Sequence, residues 1–392
     1  MEFSLIQLPD VPKIEIIHLM TIGERIKLAI SSRRMENYLS RLFKKPDEDS
    51  DYRMSLQGEE SYIDIQRGEW RLFMSPLRLN YEEPNDISDE DIKPWLDEKC
   101  TMIENTLNVF SRLQNVFPCD TTNLSVILNK IEPTPISNIL SYPCVANLTG
   151  VHFYGGGTMQ RHEMDAIMEW RRENTEQFIS VTENKIPLDY KHPNALRFSG
   201  GVVYGDARWI RLEDLLSMRN VIRPVLGDNN FSMKDLNTFI RYWINCEENM
   251  FTYLNIEYKQ FNSSDFLKDI TILKGFRTEK PFYLIASNST ENQLLTMQLI
   301  SFPNNPKRQK ELDFSVQHAN KPHQFVRGGT APAWTREYRI LRLLARKRSL
   351  EEMGITVGGA GEEEKELGDL EEELAAEGVQ MIDGIMTVQE KL

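Results

Sequence analysis

Residues 220–261, NVIRPVLGDNNFSMKDLNTFIRYWINCEENMFTYLNIEYKQF, contain the pattern that decides the fold. An apolar run ends in a Gly-Asp-Asn-Asn turn, a helical stretch follows, and a strand pattern closes the segment. Ser232 is a good N-cap and Asp235 falls in the first helical turn. The segment therefore predicts a strand–helix–strand unit whose helix buries one apolar stripe, formed by Leu236, Phe239, Ile240 and Trp243.

The same theme occurs upstream. CVANLTGVHFY (144–154) predicts a strand, GGGTMQ (155–160) a turn, RHEMDAIMEWRREN (161–174) a helix and TEQFISVTE (175–183) another strand. Units of about 40 residues predict parallel strands with crossover helices. An irregular leucine-rich-repeat-like arc is the second interpretation, although the spacing is too uneven for a true repeat. We assign residues 62–326 to this α/β region.

The N-terminal residues 1–44 predict three short amphipathic helices. Pro9 stands where the first helix begins, and Asp10 can cap it. Thr21 and Glu24 have the spacing of a capping box for the second helix. Ser31 or Ser32 can cap the third. Because helices this short bury little surface alone, we expect a partner surface to complete their core.

Two further segments differ in composition from these regions. Residues 45–61 are charged and poor in large apolar side chains, which predicts a linker. Residues 327–392 combine a basic amphipathic stretch, glycines and a strongly acidic stretch. They predict a flexible or helical appendage with solvated charges, and a partner-binding helix or self-association of the basic and acidic halves is the alternative.

Composition limits the classes of function. The 392 residues carry a formal charge of −13, which disfavours a general nucleic-acid or anionic-membrane binder. The absence of an 18-residue apolar stretch or a signal-peptide pattern predicts a cytoplasmic or nuclear protein without a membrane span. We expect the scattered cysteines to be free thiols; they are Cys100, Cys119, Cys144 and Cys246.

No motif predicts catalysis, a cofactor or a metal. The turn Gly155–Gly157 lies between a strand and a helix, but a phosphate loop would need a lysine before its Ser or Thr. His152 and His162 lack metal-ligand spacing, and Cys246 has no neighbouring base in a nucleophile motif. An enzyme that binds a phosphate-bearing ligand at the glycine turn remains a minor alternative.

The N-terminal helices resemble the F-box over about residues 3–43. The resemblance rests on a Leu-Pro step, an aliphatic helix, an acidic–aliphatic step and a serine–basic step. The residues at these places are Leu8, Pro9, Ile14, Ile17, Met20, Glu24, Ile26, Leu28, Ser31, Ser32 and Arg33. Ser31-Ser32-Arg33 is compressed against the usual spacing, and Pro12 lies inside the first helix.

Residues 209–261 resemble the type 2 F-box-associated domain, whose core we place at about 200–262. The shared pattern is a Trp-x-x-Leu-x-Asp-Leu-Leu step, an Asn-rich turn, a Leu-Asn-x-Phe-aliphatic-x-x-Trp helix and a Tyr-Leu-x-Ile strand. The matching residues are Trp209, Leu212, Asp214, Leu215, Leu216, Asn229, Asp235, Leu236, Asn237, Phe239, Trp243, Ile244, Tyr253, Leu254 and Ile256. The expected fold class is α+β, with a three-helix F-box before the α/β domain.

The two resemblances imply a non-catalytic substrate receptor of an SCF-type (Skp–cullin–F-box) ubiquitin ligase. The residues expected to contact a Skp-family adaptor, and through it a cullin, are Leu8, Pro9, Ile14, Ile17, Ile26 and Leu28. The α/β domain would recruit an unknown protein target. Tyr242, Phe251 and Tyr258 are candidate anchors for it, and burial of these rings in the core is an equal alternative. The alternative is a protein-interaction module, outside any ligase, whose F-box has decayed.

Overall fold

The computed structural model describes residues 5–43, 50–67, 70–74, 89–118, 121–173, 175–276, 281–289, 291–301, 310–324, 330–356 and 361–388. The chain divides into two compact units, residues 1–187 and 188–392. Both contain helices and β-strands, so the predicted mixed fold class is confirmed at that level. None of the described helices is long and apolar enough to cross a bilayer.

The first unit begins with the predicted N-terminal helices. Its helices are α1 (Asp10–Leu19), α2 (Ile22–Ser31), α3 (Arg33–Leu42), α4 (Asp89–Ile92), α5 (Met102–Val116), α6 (Ile136–Ser141), α7 (Pro143–Ala146) and α8 (Arg161–Glu169). Thr21 and Glu24 form the predicted capping box of α2. The Ser32 side chain accepts from the Met35 backbone and caps α3. These ends form where predicted because their signals are local.

The start of α1 differs from the prediction. Pro9 occupies the N-cap position, and no side chain caps the helix there. Asp10 is already helical, so its carboxylate lies in the first turn and accepts a hydrogen bond from Lys13 at 3.1 Å. A carboxylate in the first turn still favours the helix through its dipole.

The strands of the first unit are β1 (Ser50–Leu56), β2 (Tyr62–Arg67), β3 (Trp70–Met74), β4 (Thr121–Ile127), β5 (Gly150–Tyr154) and β6 (Phe178–Val181). Their spatial order is β3-β2-β1-β4-β5-β6. The pairs among β1, β2 and β3 are antiparallel. The pairs β1–β4, β4–β5 and β5–β6 are parallel. Helix α8 lies between β5 and β6 in the chain, as the sequence predicts.

The prediction of a linker at residues 45–61 is wrong for residues 50–61, which the structure describes. Residues 50–56 form β1 between β2 and β4, and residues 58–60 form a 3₁₀ turn. Tyr52, Met54 and Leu56 are each at most 1 % exposed. Because every second side chain of this segment is apolar, it forms a strand despite its charged residues. Residues 45–49 lie outside the described part of the chain.

The second unit contains the strand–helix–strand segment at residues 220–261. Its strands are β7 (Gly201–Asp206), β8 (Pro224–Asp228), β9 (Tyr253–Tyr258), β10 (Leu273–Phe276), β11 (Pro281–Ala286), β12 (Gln293–Ile300), β13 (Lys310–His318), β14 (His323–Gln324), β15 (Thr330–Ala331), β16 (Val379–Ile382) and β17 (Ile385–Val388). Its helices are α9 (Leu212–Leu216), α10 (Met233–Ile244), α11 (Ser263–Phe266), α12 (Thr335–Glu352) and α13 (Glu362–Ala376).

Strands β7, β8 and β9 are parallel neighbours in chain order, with α9 and α10 in the crossovers. Ser232 and Asp235 form a capping box at the start of α10, and the predicted apolar stripe of this helix is buried. The prediction for this segment is therefore confirmed. Parallel strands adjacent in chain order are compatible with a leucine-rich-repeat-like arc, which itself stays a prediction.

After β9 the strands pair antiparallel in the spatial order β9-β13-β12-β11-β10. Strand β17 then pairs parallel with β10, and β16 pairs antiparallel with β17. The C-terminal hairpin therefore extends the sheet of the second unit.

The segment 327–392 is a packed part of the second unit over its described residues. The sequence predicts a flexible or a helical appendage here. The helical form describes α12 and α13, and the flexible form does not. Trp334, Leu341 and Leu344 pack with Leu273 and Leu284 in one buried cluster. Basic side chains of α12 pair with acidic side chains of α13 and of the residue after it, in the pairs Arg346–Glu366, Lys347–Glu371 and Arg336–Glu377. The opposite charges of the two halves thus meet within one chain.

Candidate functional site

The N-terminal helices pack against α5 and the turn before it. Arg112 of α5 donates from Nε to Glu36 of α3 at 2.8 Å, and its guanidinium lies 4.4 Å from the Trp95 ring centroid. Lys27 of α2 forms an ion pair with Asp91 of α4 at 3.1 Å. The helices therefore find part of the expected partner surface within their own unit.

Arg25 holds the corner between α1 and α2. Its side chain is 9 % exposed, and it donates from Nε to the Ile17 carbonyl at 2.9 Å and from Nη2 to the His18 carbonyl at 2.8 Å. The guanidinium also lies 5.1 Å from the Phe43 ring centroid. Arg25 thus donates to two carbonyl groups in the last turn of α1, where a cation is favourable, and the Ile17 carbonyl also accepts from the Met20 backbone.

The structure separates the predicted adaptor-binding residues into two groups. Ile17 and Ile26 are 0 % exposed and lie inside the helical bundle, so they cannot contact another protein. Leu8, Ile14 and Leu28 are partly exposed, and Pro9 is exposed. The predicted set is therefore a mixture of core residues and surface residues.

Two exposed apolar side chains of α1 were missed by the sequence analysis. Val11 is 72 % exposed and Leu19 is 86 % exposed. They are eight residues apart, so they lie near one face of the helix with the exposed Glu15 between them. We call Val11 and Leu19 the α1 apolar face. The sequence signal was the four-residue spacing of positions 11, 15 and 19, opposite the buried Ile17.

The second unit contains a buried aromatic group beside the first parallel strands. The rings of Tyr204 and Tyr190 lie 5.1 and 5.2 Å from that of Trp209. Trp209 donates from Nε1 to the Asp206 carbonyl at 3.1 Å, and the Tyr204 hydroxyl donates to the Ala195 carbonyl at 2.6 Å. Burial raises the pKa of Tyr204 well above its ordinary value. This hydroxyl is a structural donor held in its neutral form.

Charged residues meet where β7, β8 and β9 end. Arg208 donates to Asp206 at 2.7 Å and lies 3.5 Å from Asp228, which pairs with Lys259 at 3.3 Å. The hydrogen bonds that Arg208 donates to the Asp206 carboxylate raise the pKa of Arg208 further above its ordinary value. The Asn229 amide donates to the Gly227 and Glu257 carbonyls at 2.7 and 2.8 Å. These contacts form a polar edge at the ends of the three strands.

The three candidate anchors have different positions. Phe251 is 0 % exposed and Tyr258 is 9 % exposed, so both belong to the core and the anchor hypothesis is wrong for them. Tyr242 is 39 % exposed and accepts a hydrogen bond from Arg219 at 2.9 Å. Arg219 also pairs with Glu248. Tyr242 is the candidate anchor that reaches the surface.

The glycine turn is used for chain geometry. Gly155, Gly156 and Gly157 all have positive φ, which other residues adopt at a cost. The Gly156 carbonyl accepts from the Asn184 amide at 3.1 Å and the Gly157 carbonyl from the Lys185 backbone at 2.8 Å. These bonds tie the turn to the chain after β6.

Within the described ranges, no group of three or more His, Cys, Asp or Glu could hold a metal ion. Cys100, Cys144 and Cys246 are free thiols, and burial raises the pKa of Cys100 and Cys144. A raised pKa keeps a thiol protonated and unreactive. Cys119 lies outside the described part of the chain.

Comparisons with known proteins bear on the second unit. Residues 192–267 match the model of the F-box-associated family. This range begins before β7 and ends just after α11, so it contains the three parallel strands and their helices. No solved structure matches the chain.

A second comparison is partial. The chain is 32 % identical over 88 residues to the E3 ubiquitin-protein ligase hecw-1 of Caenorhabditis elegans. The match covers 22 % of this chain and 7 % of that protein. Residues 192–267 are therefore similar to F-box-associated domains, in agreement with the predicted core at 200–262, and the N-terminal helices are linked to the F-box by resemblance alone.

Proposed function

We propose that this protein is the substrate-recognition subunit of an SCF-type ubiquitin ligase, acting in the cytoplasm or nucleus. The observation that carries the proposal is the F-box-associated match at 192–267, downstream of three short N-terminal helices, of which α2 and α3 are capped by side chains. The N-terminal helices dock on a Skp-family adaptor, which links them to a cullin. The second unit binds a protein target.

The α1 apolar face supports adaptor docking. Two large aliphatic side chains, Val11 and Leu19, stand in water at 72 % and 86 % exposure. Covering such side chains with another protein contributes about 1.5–3 kcal/mol each. The face lies on α1, which carries the aliphatic F-box-like pattern. The buried Ile17 and Ile26 hold this face in shape and make no contact with the adaptor.

The proposed role is non-catalytic. A receptor of this kind accelerates ubiquitin transfer by holding the target near a loaded enzyme, so proximity is its contribution. The similarity to hecw-1, whose name describes an E3 ubiquitin-protein ligase, supports a place in the ubiquitin pathway.

The test is capture of the intact chain by an immobilised Skp-family adaptor. A Val11→Asp/Leu19→Asp variant should reduce capture at least about tenfold, because each carboxylate would be buried at the interface. A Leu188→Asp/Met353→Asp variant is the matched control, since these side chains are 57 % and 58 % exposed in the second unit. Lack of capture of the intact chain, or equal loss in both variants, would overturn adaptor docking by this face.

The second candidate is an interaction module outside any ligase. The contacts of Arg112 with Glu36 and Trp95 favour it, because they anchor the N-terminal helices without another chain. In that case the folded protein does not bind the adaptor, while its second unit still binds a partner.

A further inference from the structure

A groove of about 450 Å³ lies in the second unit between the end of α10, the loop before β10 and α12. Its volume falls within the range of about 300–1,000 Å³ that is typical of ligand sites. The apolar part of its lining comes from Ile244, Ile270, Ala286, Leu341 and Ala345. Ile270 and Leu341 are 6 % and 1 % exposed, so they form a firm floor.

The polar wall of the groove is held by carboxamides. The Asn288 side chain donates to the Asn245 side-chain oxygen at 2.9 Å, and Asn245 donates to the Arg241 carbonyl at 2.9 Å. The Asn288 backbone donates to the Ile244 carbonyl at 2.7 Å. These bonds fix the end of α10 to the end of β11. Fixed carboxamides beside an apolar floor suit the backbone of an extended peptide.

The rim of the groove has an excess of positive charge. Arg348 forms ion pairs with both acidic side chains of the rim, with N–O distances of 3.5 Å to Asp269 and 2.7 Å to Glu352. Arg241 reaches Asp269 at 3.9 Å only. Arg342 is exposed, and no residue in the described part of the chain forms a hydrogen bond or ion pair with its guanidinium group. Arg241 and Arg342 are therefore the cations available to a ligand.

The charge of the whole chain increases the contrast. With a formal net charge of −13, the chain as a whole repels an acidic partner, so attraction has to come from local cations. A local cationic rim in such a field steers negative ligands to one place. Arginine is suited to this task because its planar guanidinium donates to a carboxylate with two parallel hydrogen bonds.

We infer that this groove binds an acidic peptide segment of the target protein. An aliphatic side chain of the peptide rests on Ile270 and Leu341, and flanking carboxylates pair with Arg241 and Arg342. The inference rests on the proposed function, since it names the kind of target that the receptor recruits. One wall comes from α10 of the F-box-associated segment and the other from α12, so the C-terminal residues contribute to recognition.

The test uses the intact chain on an array of twelve-residue peptides. Each peptide has a central leucine, and Asp, Asn, Lys or Ser occupies the flanking positions. The expected result is retention of the Asp-flanked peptides at least tenfold above the Asn-flanked ones, with loss of the difference at high salt. An Arg241→Glu/Arg342→Glu variant should abolish the preference, and both side chains are exposed, so folding is preserved.

An Arg34→Glu/Arg41→Glu variant is the charge-matched control, because both arginines are exposed on α3 in the first unit. Equal retention of Asp- and Asn-flanked peptides, or a preference that survives in the groove variant, overturns the inference. A preference lost equally in both variants also overturns it, since general charge would then explain binding. Adaptor capture is read separately, so its failure would reject the ligase role and leave peptide binding to be judged by the array.

Discussion

Single side chains decide the surface that the N-terminal helices present. Ile17 of α1 is fully buried, whereas Leu19, two positions later, is 86 % exposed. The orientation of α1 depends on Arg25, which binds the carbonyl groups of Ile17 and His18 from inside the bundle. A buried cation at a helix end therefore sets which aliphatic residues face outward.

Arg25→Met should destabilise the first unit by about 2–4 kcal/mol, because two hydrogen bonds to a buried charged group are lost and the His18 carbonyl loses its side-chain donor. Urea denaturation followed by circular dichroism measures the change. Arg34→Met, at an exposed position of the next helix, should change the free energy of unfolding by less than about 0.5 kcal/mol. Equal effects of the two substitutions would show that Arg25 has no special role.

Asp313 makes stability depend on pH. Burial raises the pKa of this β13 carboxyl above its ordinary value, with Asn255 and Arg223 opposing the shift. A raised folded-state pKa means that the folded chain binds the proton more tightly than the unfolded chain. The stabilisation is thus present at low pH and is lost as the pH rises above about 4.

Asp313→Asn removes this dependence. The melting temperature of the variant, relative to the parent protein, should therefore rise as the pH is taken from about 4 to 7. A constant difference between Asp313→Asn and the parent would refute the pH effect.

Helices show how far local sequence signals reach. The capping boxes at Thr21 and Ser232 and the buried stripe of α10 were predictable, since each depends on residues within a few positions. The four-residue spacing of Val11 and Leu19 was visible, but their exposure also depends on how α1 packs against the rest of its unit. The place of Phe251 was left open between anchor and core for the same reason, since an aromatic ring suits a core and a surface equally well.

Ser232→Ala should destabilise the second unit by about 1 kcal/mol, because α10 loses the side chain that accepts from the Asp235 backbone. Thermal unfolding of the intact chain checks this value. Ser232→Thr keeps the hydroxyl and should restore most of the stability. If the threonine variant is as unstable as the alanine variant, the loss does not come from the cap.

Across the whole molecule, the sequence identified the mixed fold and the parallel strand–helix units but underestimated the integration of both flanks. The alternation of Tyr52, Met54 and Leu56 was hidden among charged residues, so β1 was taken for linker. The role of the C-terminal segment depends on contacts far apart in sequence, such as those of Leu273 and Leu284 with Trp334. The groove also depends on contacts between residues far apart in sequence, since Arg348 and Asp269 form their ion pair only in the folded chain.

Removal of residues 334–392 should lower the stability of the second unit markedly, because the buried side chains of β10 and β11 lose their apolar cover. We expect exposed apolar surface in the shortened chain, measured as increased binding of a hydrophobic dye and a lower melting temperature. An unchanged melting temperature would support a dispensable appendage instead.

The most direct test of the ligase role is assembly with a Skp-family adaptor and a cullin N-terminal domain, measured by size-exclusion chromatography with light scattering. A single complex with the mass of one copy of each protein is the expected result, and it should be lost with Val11→Asp/Leu19→Asp. Separate elution of the folded chain from an adaptor–cullin complex that is itself intact would contradict the proposal.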